Sequence, residues 1–264
     1  CDYYKMIKKI TQNSPLGFFH KNGYLIIKNL IPKKNIKEIY STLDTIIKKS
    51  KYNIKYKNIK TKNLLKKISS IIIYIKKKDP KFASEIYEIF KVSLALNKFL
   101  DKKFFNTLSK KIKIDAKNLV NQQSIIRFDM PEEKKTIIDY HQDYMNDFNT
   151  KKNRFIGFTV WCPLNEKVNN FYGGIEILKE SHKLGWKTTK KESKKKIYKA
   201  AKFIIDKKII NTYKTRAIIP SLKGGDVVVM DTRLIHKSVQ NYSSICRFTA
   251  QFRYGLIGES KILN

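Results

Sequence analysis

Near residue 120 the apolar residues of this chain change their spacing, from a helical period to a period of two. That switch limits the fold to helices packed against a β core. Over 33–49, Ile36, Ile39, Tyr40, Leu43, Ile46 and Ile47 recur three and four apart. A second helical stretch covers 64–75 and stops before Asp79-Pro80. A third, over 82–100, carries Ile86, Ile89, Phe90, Leu94 and Leu96, with Leu108 and Ile112 in a further turn. Before them, 23–30 reads as a short strand introduced by Gly23 and closed by Pro32. Beyond residue 120, segments 124–128, 136–140, 155–162, 174–178, 217–219, 226–230 and 247–254 read as strands. Turn signals separate them at Met130-Pro131, Gly173-Gly174, Gly224-Gly225 and Asn241-Tyr242-Ser243.

Many short strands with inserted loops predict a mainly-β sandwich or jelly roll, the latter the double-stranded β-helix of cupin-like folds. Its N-terminal helices buttress one sheet. The lysine-rich segment 186–211, with Ile197, Tyr198, Ala201, Ile204 and Ile205 at helical spacing, predicts an inserted amphipathic helix, either a solvated surface element or a cap over a site. Residues 1–264 are expected to form one domain, with 1–120 as helical support and 121–258 as the jelly-roll core. A chain of 264 residues buries enough surface to fold without disulfides or a structural metal.

The net charge of +34 would ordinarily point to nucleic acid or an anionic membrane. Its makeup argues otherwise. Only six of the 56 cationic residues are arginine, and the lysines are scattered among 38 isoleucines and 20 asparagines. Lys, Ile and Asn are the residues of A/T-rich codons, so base composition accounts for much of the excess. Specific nucleic-acid binders instead concentrate arginines and interleave aromatics. No specific nucleic-acid partner is expected. The longest apolar run, 71–75, is far too short for a membrane span, and 1–15 has no secretory apolar region. Cys1, Cys162 and Cys246 form no CxxC pair, and a cytoplasmic location is expected.

The chemistry is carried by His141-Gln142-Asp143, at the end of an apolar stretch. On extended backbone, residues two apart share a face, so the imidazole and carboxylate converge while Gln142 turns away. A second histidine from a distant strand completes a two-histidine, one-carboxylate triad, which leaves one face of an octahedral iron open. His236 is the candidate, on the apolar strand that begins at Asp226. His236 and Arg247 are equidistant from the turn between Asn241 and Tyr242, so they reach the same height whether their strands pair or face each other. Alternation puts Ser238 on the face of His236, and Thr249, Gln251 and Arg253 on that of Arg247. A guanidinium buried near a metal needs an anionic partner, which a cosubstrate carboxylate would provide.

These residues, in this order, resemble the phytanoyl-CoA dioxygenase-like branch of the iron(II)/2-oxoglutarate-dependent oxygenases, over most of the chain. Residues 18–30 (FFHKNGYLIIKNL) are similar to the family's opening strand. The blocks 158–164 and 173–185, with Ser181-His182-Lys183-Leu184-Gly185, and the Gly-Asp…His…Asn…Arg series over 225–247 continue the likeness. Glu180 stands where the family usually has the glycine of its "GSH" step.

The resemblance implies Fe(II) held by His141, Asp143 and His236, and 2-oxoglutarate held by Arg247 with Ser238. Gln123 or Arg127 would be a further cosubstrate contact on the preceding strand. It also implies O2 as oxidant, release of succinate and CO2, and hydroxylation of a small organic molecule. An aspartate at 143 favours hydroxylation over the halogenation of relatives that lack it. The lysines of the 186–211 segment point to an anionic substrate. His182 is expected to be a structural hydrogen-bonding residue, His20 a background one and Trp161 either pocket or core. Asp139 either orients the site or caps the strand, and Cys162 and Cys246 fill space. Two other readings are a cupin-like metalloprotein with non-oxidative chemistry and a basic nucleic-acid-binding module.

Overall fold

The computed structural model describes residues 14–134, 137–143, 157–187, 189–190 and 203–256. The described residues open with α1 (Pro15–Asn22), capped by Ser14 and ended by Gly23 at φ +81°. The chain enters β1 (Tyr24–Ile27) directly. Six helices follow: α2 (Lys33–Lys48), α3 (Asn53–Lys57), α4 (Leu64–Lys78), α5 (Pro80–Lys91), α6 (Leu94–Asn97) and α7 (Lys102–Ile112). Side-chain caps set several starts: Asn63 accepts from Lys66 N, Asp79 from Phe82 N and Asp101 from Phe104 N. The sequence reading took 82–100 as one helix. Ser93 caps a new start by accepting from Leu96 N, so the helix breaks there and Ile89 and Leu94 face solvent. Helices α1 and α3 have too few periodic apolar residues to announce themselves.

The β region comprises β2 (Leu119–Asp129), β3 (Gly157–Pro163), β4 (Ile175–Leu178), β5 (Thr189–Lys190) and β6 (Phe203–Ile204). After α8 (Lys207–Lys214) come β7 (Ala217–Ile218), β8 (Val227–Asp231), β9 (His236–Ser238) and β10 (Arg247–Leu256). All pairings are antiparallel. One sheet has the order β1-β8-β3-β10-β2, a second has β7-β4-β9, and β5 pairs with β6. These antiparallel sheets form the jelly roll expected, although helices contribute more of the described chain than strands do and pack on one sheet.

Alternation assigns each face. On β8, Val227 and Val229 join the helices' apolar core, whereas Val228 and Met230 join Trp161, Ile175 and Ile177 between the sheets. On β10, Phe248, Ala250, Phe252 and Tyr254 point to the helical layer, and Tyr40 of α2 meets Phe248 edge-on at 5.7 Å. The opposite face of β10 carries Arg247, Thr249, Gln251 and Arg253, so the interior between the sheets is polar at that end.

Three expectations need correction. His236 does not continue the strand that begins near Asp226. The chain turns after Asp231, and β9 belongs to the smaller sheet, so His236 faces Arg247 across the sandwich. The segment read as a strand over 136–140 forms only a bridge at His141, although Ser238 N also donates to Ile138 O at 2.9 Å. Of the helix expected over 186–211, residues 188 and 191–202 lie outside the described residues, and the described helix α8 begins after Asp206, which accepts from Lys208 N. Ile204 lies in β6 instead, and Ile197, Tyr198 and Ala201 lie outside the described residues. Ile209, Ile210 and Tyr213 of α8 pack with Leu178, Ile205 and Ile235 on the smaller sheet's outer face. No described helix is long and apolar enough to cross a membrane.

Candidate metal centre

The centre is assembled by backbone pairing. His141 and His236 exchange N–H···O=C bonds at 2.9 and 3.0 Å, which sets their side chains on one face. Asp143 N donates to Thr232 O at 3.0 Å, carrying the carboxylate to the same place. Gln142 points the other way: its amide donates to the carbonyls of Gly185 and Arg233 and accepts from Lys187 N, stapling the segment to the neighbouring loops.

Each imidazole donates from Nδ1 to a backbone carbonyl two residues earlier, His141 to Asp139 at 2.7 Å and His236 to Leu234 at 2.9 Å. That arrangement leaves both Nε2 lone pairs available. Burial, reinforced by the neighbouring His236, lowers the His141 pKa to about 3, so its ring is neutral near pH 7. The two Nε2 atoms lie 3.9 and 3.7 Å from the Asp143 carboxylate oxygens, and one ligand atom from each of the three residues falls within 4.8 Å of the others. Two imidazoles whose Nε2 atoms face one carboxylate match the donor set an Fe(II) site with open positions requires.

Asp143 is held from behind. Arg253 Nη2 donates to Oδ1 at 2.5 Å, and Thr159 Oγ1 to Oδ2 at 2.6 Å. Burial works to raise the Asp143 pKa, but Arg253 and the two histidines hold it well below the usual carboxylate range. Arg253 also receives support from Gln123, whose Oε1 accepts from its Nη1.

At the cosubstrate end, Arg127, Ser238 and Arg247 line the same cleft as the triad, together with Trp161, Gln251 and Arg253. Gln123 reaches this group only through Arg253. The sequence reading left the anionic partner of Arg247 to a cosubstrate, but the fold already supplies one. Asp129, directly opposite Arg247 in the β2–β10 register, forms an ion pair with its Nη2 at 2.5 Å and accepts a hydrogen bond from Arg127 Nη2 at 2.7 Å. Burial would raise the Asp129 pKa, and the two guanidiniums hold it below the usual range instead. Arg247 also stacks its guanidinium 5.5 Å from the Trp161 ring, so Trp161 serves both core and cleft.

Three residues in this network escaped the sequence reading. For Asp129 there was a usable signal, since it sits two residues after Arg127 and so shares its face. Thr159 gave none, because a threonine in an apolar strand is common. Arg253 was placed on the correct face but given no role.

The remaining candidates fall outside the triad. His182 donates from Nε2 to His20 O at 2.9 Å and packs on Gly23, a structural part as expected. Glu180, where the family pattern has glycine, adopts φ +69°, the left-handed conformation that glycine favours. Lys183 and Arg216 bind its carboxylate there. Asp139 both orients His141 through its carbonyl and accepts from Tyr140 N at 2.8 Å. Cys162 and Cys246 are buried free thiols.

No curated protein matches the sequence directly. Solved structures do match the fold. EvdO2 from Micromonospora carbonacea var. aurantiaca, complexed with 2-oxoglutarate, is 14% identical over 96% of this chain and 95% of its own, with a TM-score of 0.56. EctD from S. alaskensis, with 2-oxoglutarate and 5-hydroxyectoine, is 13% identical over 95% and 80%, at 0.56. The epimerase SnoN, in complex with Fe3+, alpha-ketoglutarate and nogalamycin RO, is 11% identical over 96% and 83%, at 0.55. The family model of phytanoyl-CoA dioxygenase (PhyH) matches residues 19–249, and the chain therefore belongs to that family of iron(II)/2-oxoglutarate-dependent oxygenases.

Proposed function

We propose that this oxygenase hydroxylates a small organic molecule, with His141, Asp143 and His236 as its iron ligands. The observation that carries the reading is the convergence of one ligand atom from each of His141, Asp143 and His236 within 4.8 Å. Bound iron supplies the oxidation: with 2-oxoglutarate and O2 as co-reactants, it couples decarboxylation of the keto acid to succinate and CO2 with insertion of one oxygen atom into a substrate C–H bond.

The chain's own residues do the positioning. Arg247 and Arg127, tied together by Asp129, present guanidinium donors beside Ser238 for the distal carboxylate of 2-oxoglutarate. Arg253 and Thr159 hold Asp143 ionised and aimed. Trp161, Ile175 and Met230 give the cleft an apolar wall that excludes water. The cations of the cleft are matched by carboxylates, Arg127 and Arg247 by Asp129, Arg253 by Asp143 and Lys237 by Glu176, so the reading of an anionic substrate rests on the lysines of the 186–211 segment alone. The reading takes residues 1–264 as one catalytic domain working in a reducing, cytoplasmic setting, in keeping with the free thiols of Cys162 and Cys246. It assigns no specific nucleic-acid partner.

The test is succinate formation from 2-oxoglutarate with Fe(II), ascorbate and O2, across a screen of phosphonates, CoA esters and betaine-like solutes. The wild type is expected to make succinate, and His141→Ala and His236→Ala to make none. Wild-type turnover in either variant would remove that residue from the ligand set. A product that gains an oxygen atom distinguishes hydroxylation from the epimerase chemistry named for SnoN.

A further inference from the structure

The segment that carries His141 is lightly paired. Among the described residues its ladder to β9 is the bridge between His141 and His236, with one further bond from Ser238 N to Ile138 O at 2.9 Å. On the other side of β9 the sheet is regular: β4 pairs with it in the register Ile175↔Ser238, Glu176↔Lys237 and Ile177↔His236. An edge held by so few backbone bonds opens readily unless side chains hold it.

On the outer face of this sheet, a belt of side chains crosses all three segments. Ile175 and Ile177 point between the sheets, so Glu176 points outward, and Tyr140 packs with Leu178, Ile205 and Ile235 on that same outer face. The Tyr140 hydroxyl reaches past β9 and donates to Glu176 Oε1 at 2.5 Å. Lys237, which also borders the cleft, pairs with Glu176 Oε2 at 3.2 Å, and its ammonium stands 4.7 Å from the centre of the Tyr140 ring. Lys214, the last residue of α8, donates to the Tyr140 hydroxyl at 2.7 Å and also to Glu176 Oε1.

The Glu176 carboxylate is the meeting point. Tyr140 precedes His141 and Lys237 follows His236, so one acid ties together the neighbours of both imidazoles. Glu176 is only 6% exposed. A carboxylate at that depth is costly unless it is bonded, and removing it would leave a hydroxyl and two ammonium groups without their shared acceptor.

We infer that Glu176 is a positioning residue of the metal centre: its carboxylate clamps Tyr140 and Lys237 and so keeps the His141–His236 backbone pair closed. This role rests on the reading of the two histidines as iron ligands. Opening of the pair would separate their Nε2 atoms, so loss of the clamp should weaken metal binding more than it lowers the melting temperature.

The experiment compares the full chain with Glu176→Gln, Tyr140→Phe and Val227→Ala, by amide hydrogen exchange of the metal-free proteins and by Co(II) titration. Glu176→Gln and Tyr140→Phe are expected to speed exchange at the His141 and His236 amides by about tenfold, with the amides of β10 unchanged. Both should weaken Co(II) by at least about fivefold. Tyr140→Phe keeps the ring and its packing, so it carries the test if Glu176→Gln does not fold. Val227→Ala thins the core on the helical side of the other sheet; it should lower the melting temperature without the local change in exchange. The inference is overturned if His141 and His236 exchange at the wild-type rate in both belt variants, or if exchange accelerates equally across both sheets. It is equally overturned if Val227→Ala weakens Co(II) as much as the belt variants do. A wild type that binds no Co(II) would remove the iron reading and the positioning role with it, whereas normal wild-type binding with unchanged exchange in the variants would remove the clamp alone.

Discussion

His141 and His236 are each other's backbone partner, donating and accepting at 2.9 and 3.0 Å, and their rings stand 4.3 Å apart. The distance between the two imidazoles is thus fixed by strand pairing and does not depend on a metal. With Nδ1 of each ring tied to a carbonyl, rotation and tautomer are fixed as well. Only Asp143 depends on side-chain contacts for its aim, which makes its partners the sensitive point of the centre.

Thr159→Val removes the hydroxyl that donates to Asp143 Oδ2 at 2.6 Å while nearly preserving shape in a fully buried position. Partners that orient a metal ligand typically carry 10–100-fold in affinity or activity. The expected result is Fe(II) or Co(II) affinity weakened by about tenfold, with the melting temperature little changed. Unaltered metal affinity would show that Arg253 alone holds the carboxylate.

Arg247→Ala should act on the cosubstrate and leave the metal alone. Arg247 lies in the cleft, yet its guanidinium bonds Asp129 and does not touch the triad. Truncating one partner of a buried charge pair across a binding interface costs about 2–5 kcal/mol, so loss of the proposed contact between Arg247 and the distal carboxylate should weaken 2-oxoglutarate binding at nearly constant Co(II) affinity. Equal 2-oxoglutarate affinity in both proteins would take Arg247 out of the cosubstrate site.

Gly23 makes a different kind of demand. It turns the chain from α1 into β1 at φ +81°, and a Cβ there would lie 2.5 Å from His182 Nδ1 and 2.7 Å from Leu234 Cδ1. Backbone strain and overlap act together, so Gly23→Ala is expected to lose about 2–3 kcal/mol of stability by urea unfolding. A loss below 0.5 kcal/mol would mean that His182 moves aside freely.

Much of this arrangement was legible because it follows from period and alternation. The polar face Arg247-Thr249-Gln251-Arg253 opposite the apolar face Phe248-Ala250-Phe252-Tyr254 can be read from the sequence, and so can the His141–Asp143 spacing. What could not be read depends on which strands become neighbours. The turn after Asp231 that moves His236 to the other sheet has no strong breaker. The pairing of Asp129 with Arg247 depends on a register set across 117 intervening residues. The helix start at Asp206 was masked by the lysine-rich, weakly apolar stretch before it, where helical spacing continued through Ile204 and Ile205.

Asp129 gives the pH-dependent test. Its carboxylate is buried between Arg127 and Arg247, which hold its pKa below the usual range in the folded chain. In the unfolded chain it titrates near ~3.9. Because the folded value is the lower one, the unfolded state binds more protons between the two values, and stability rises with pH there. The contribution of Asp129 is therefore fully present about one unit above the unfolded value, near pH 5, and fades as pH falls through the folded value. Asp129→Asn leaves two guanidiniums facing a neutral amide and should lower stability by about 3 kcal/mol at pH 7. The wild-type advantage should hold down to about pH 5 and then narrow in more acidic buffer. Urea midpoints of both proteins at pH 7, 5 and 3.5 measure that gap. A gap that stays constant or widens in acid would show that Asp129 is not the ionised partner of these two arginines.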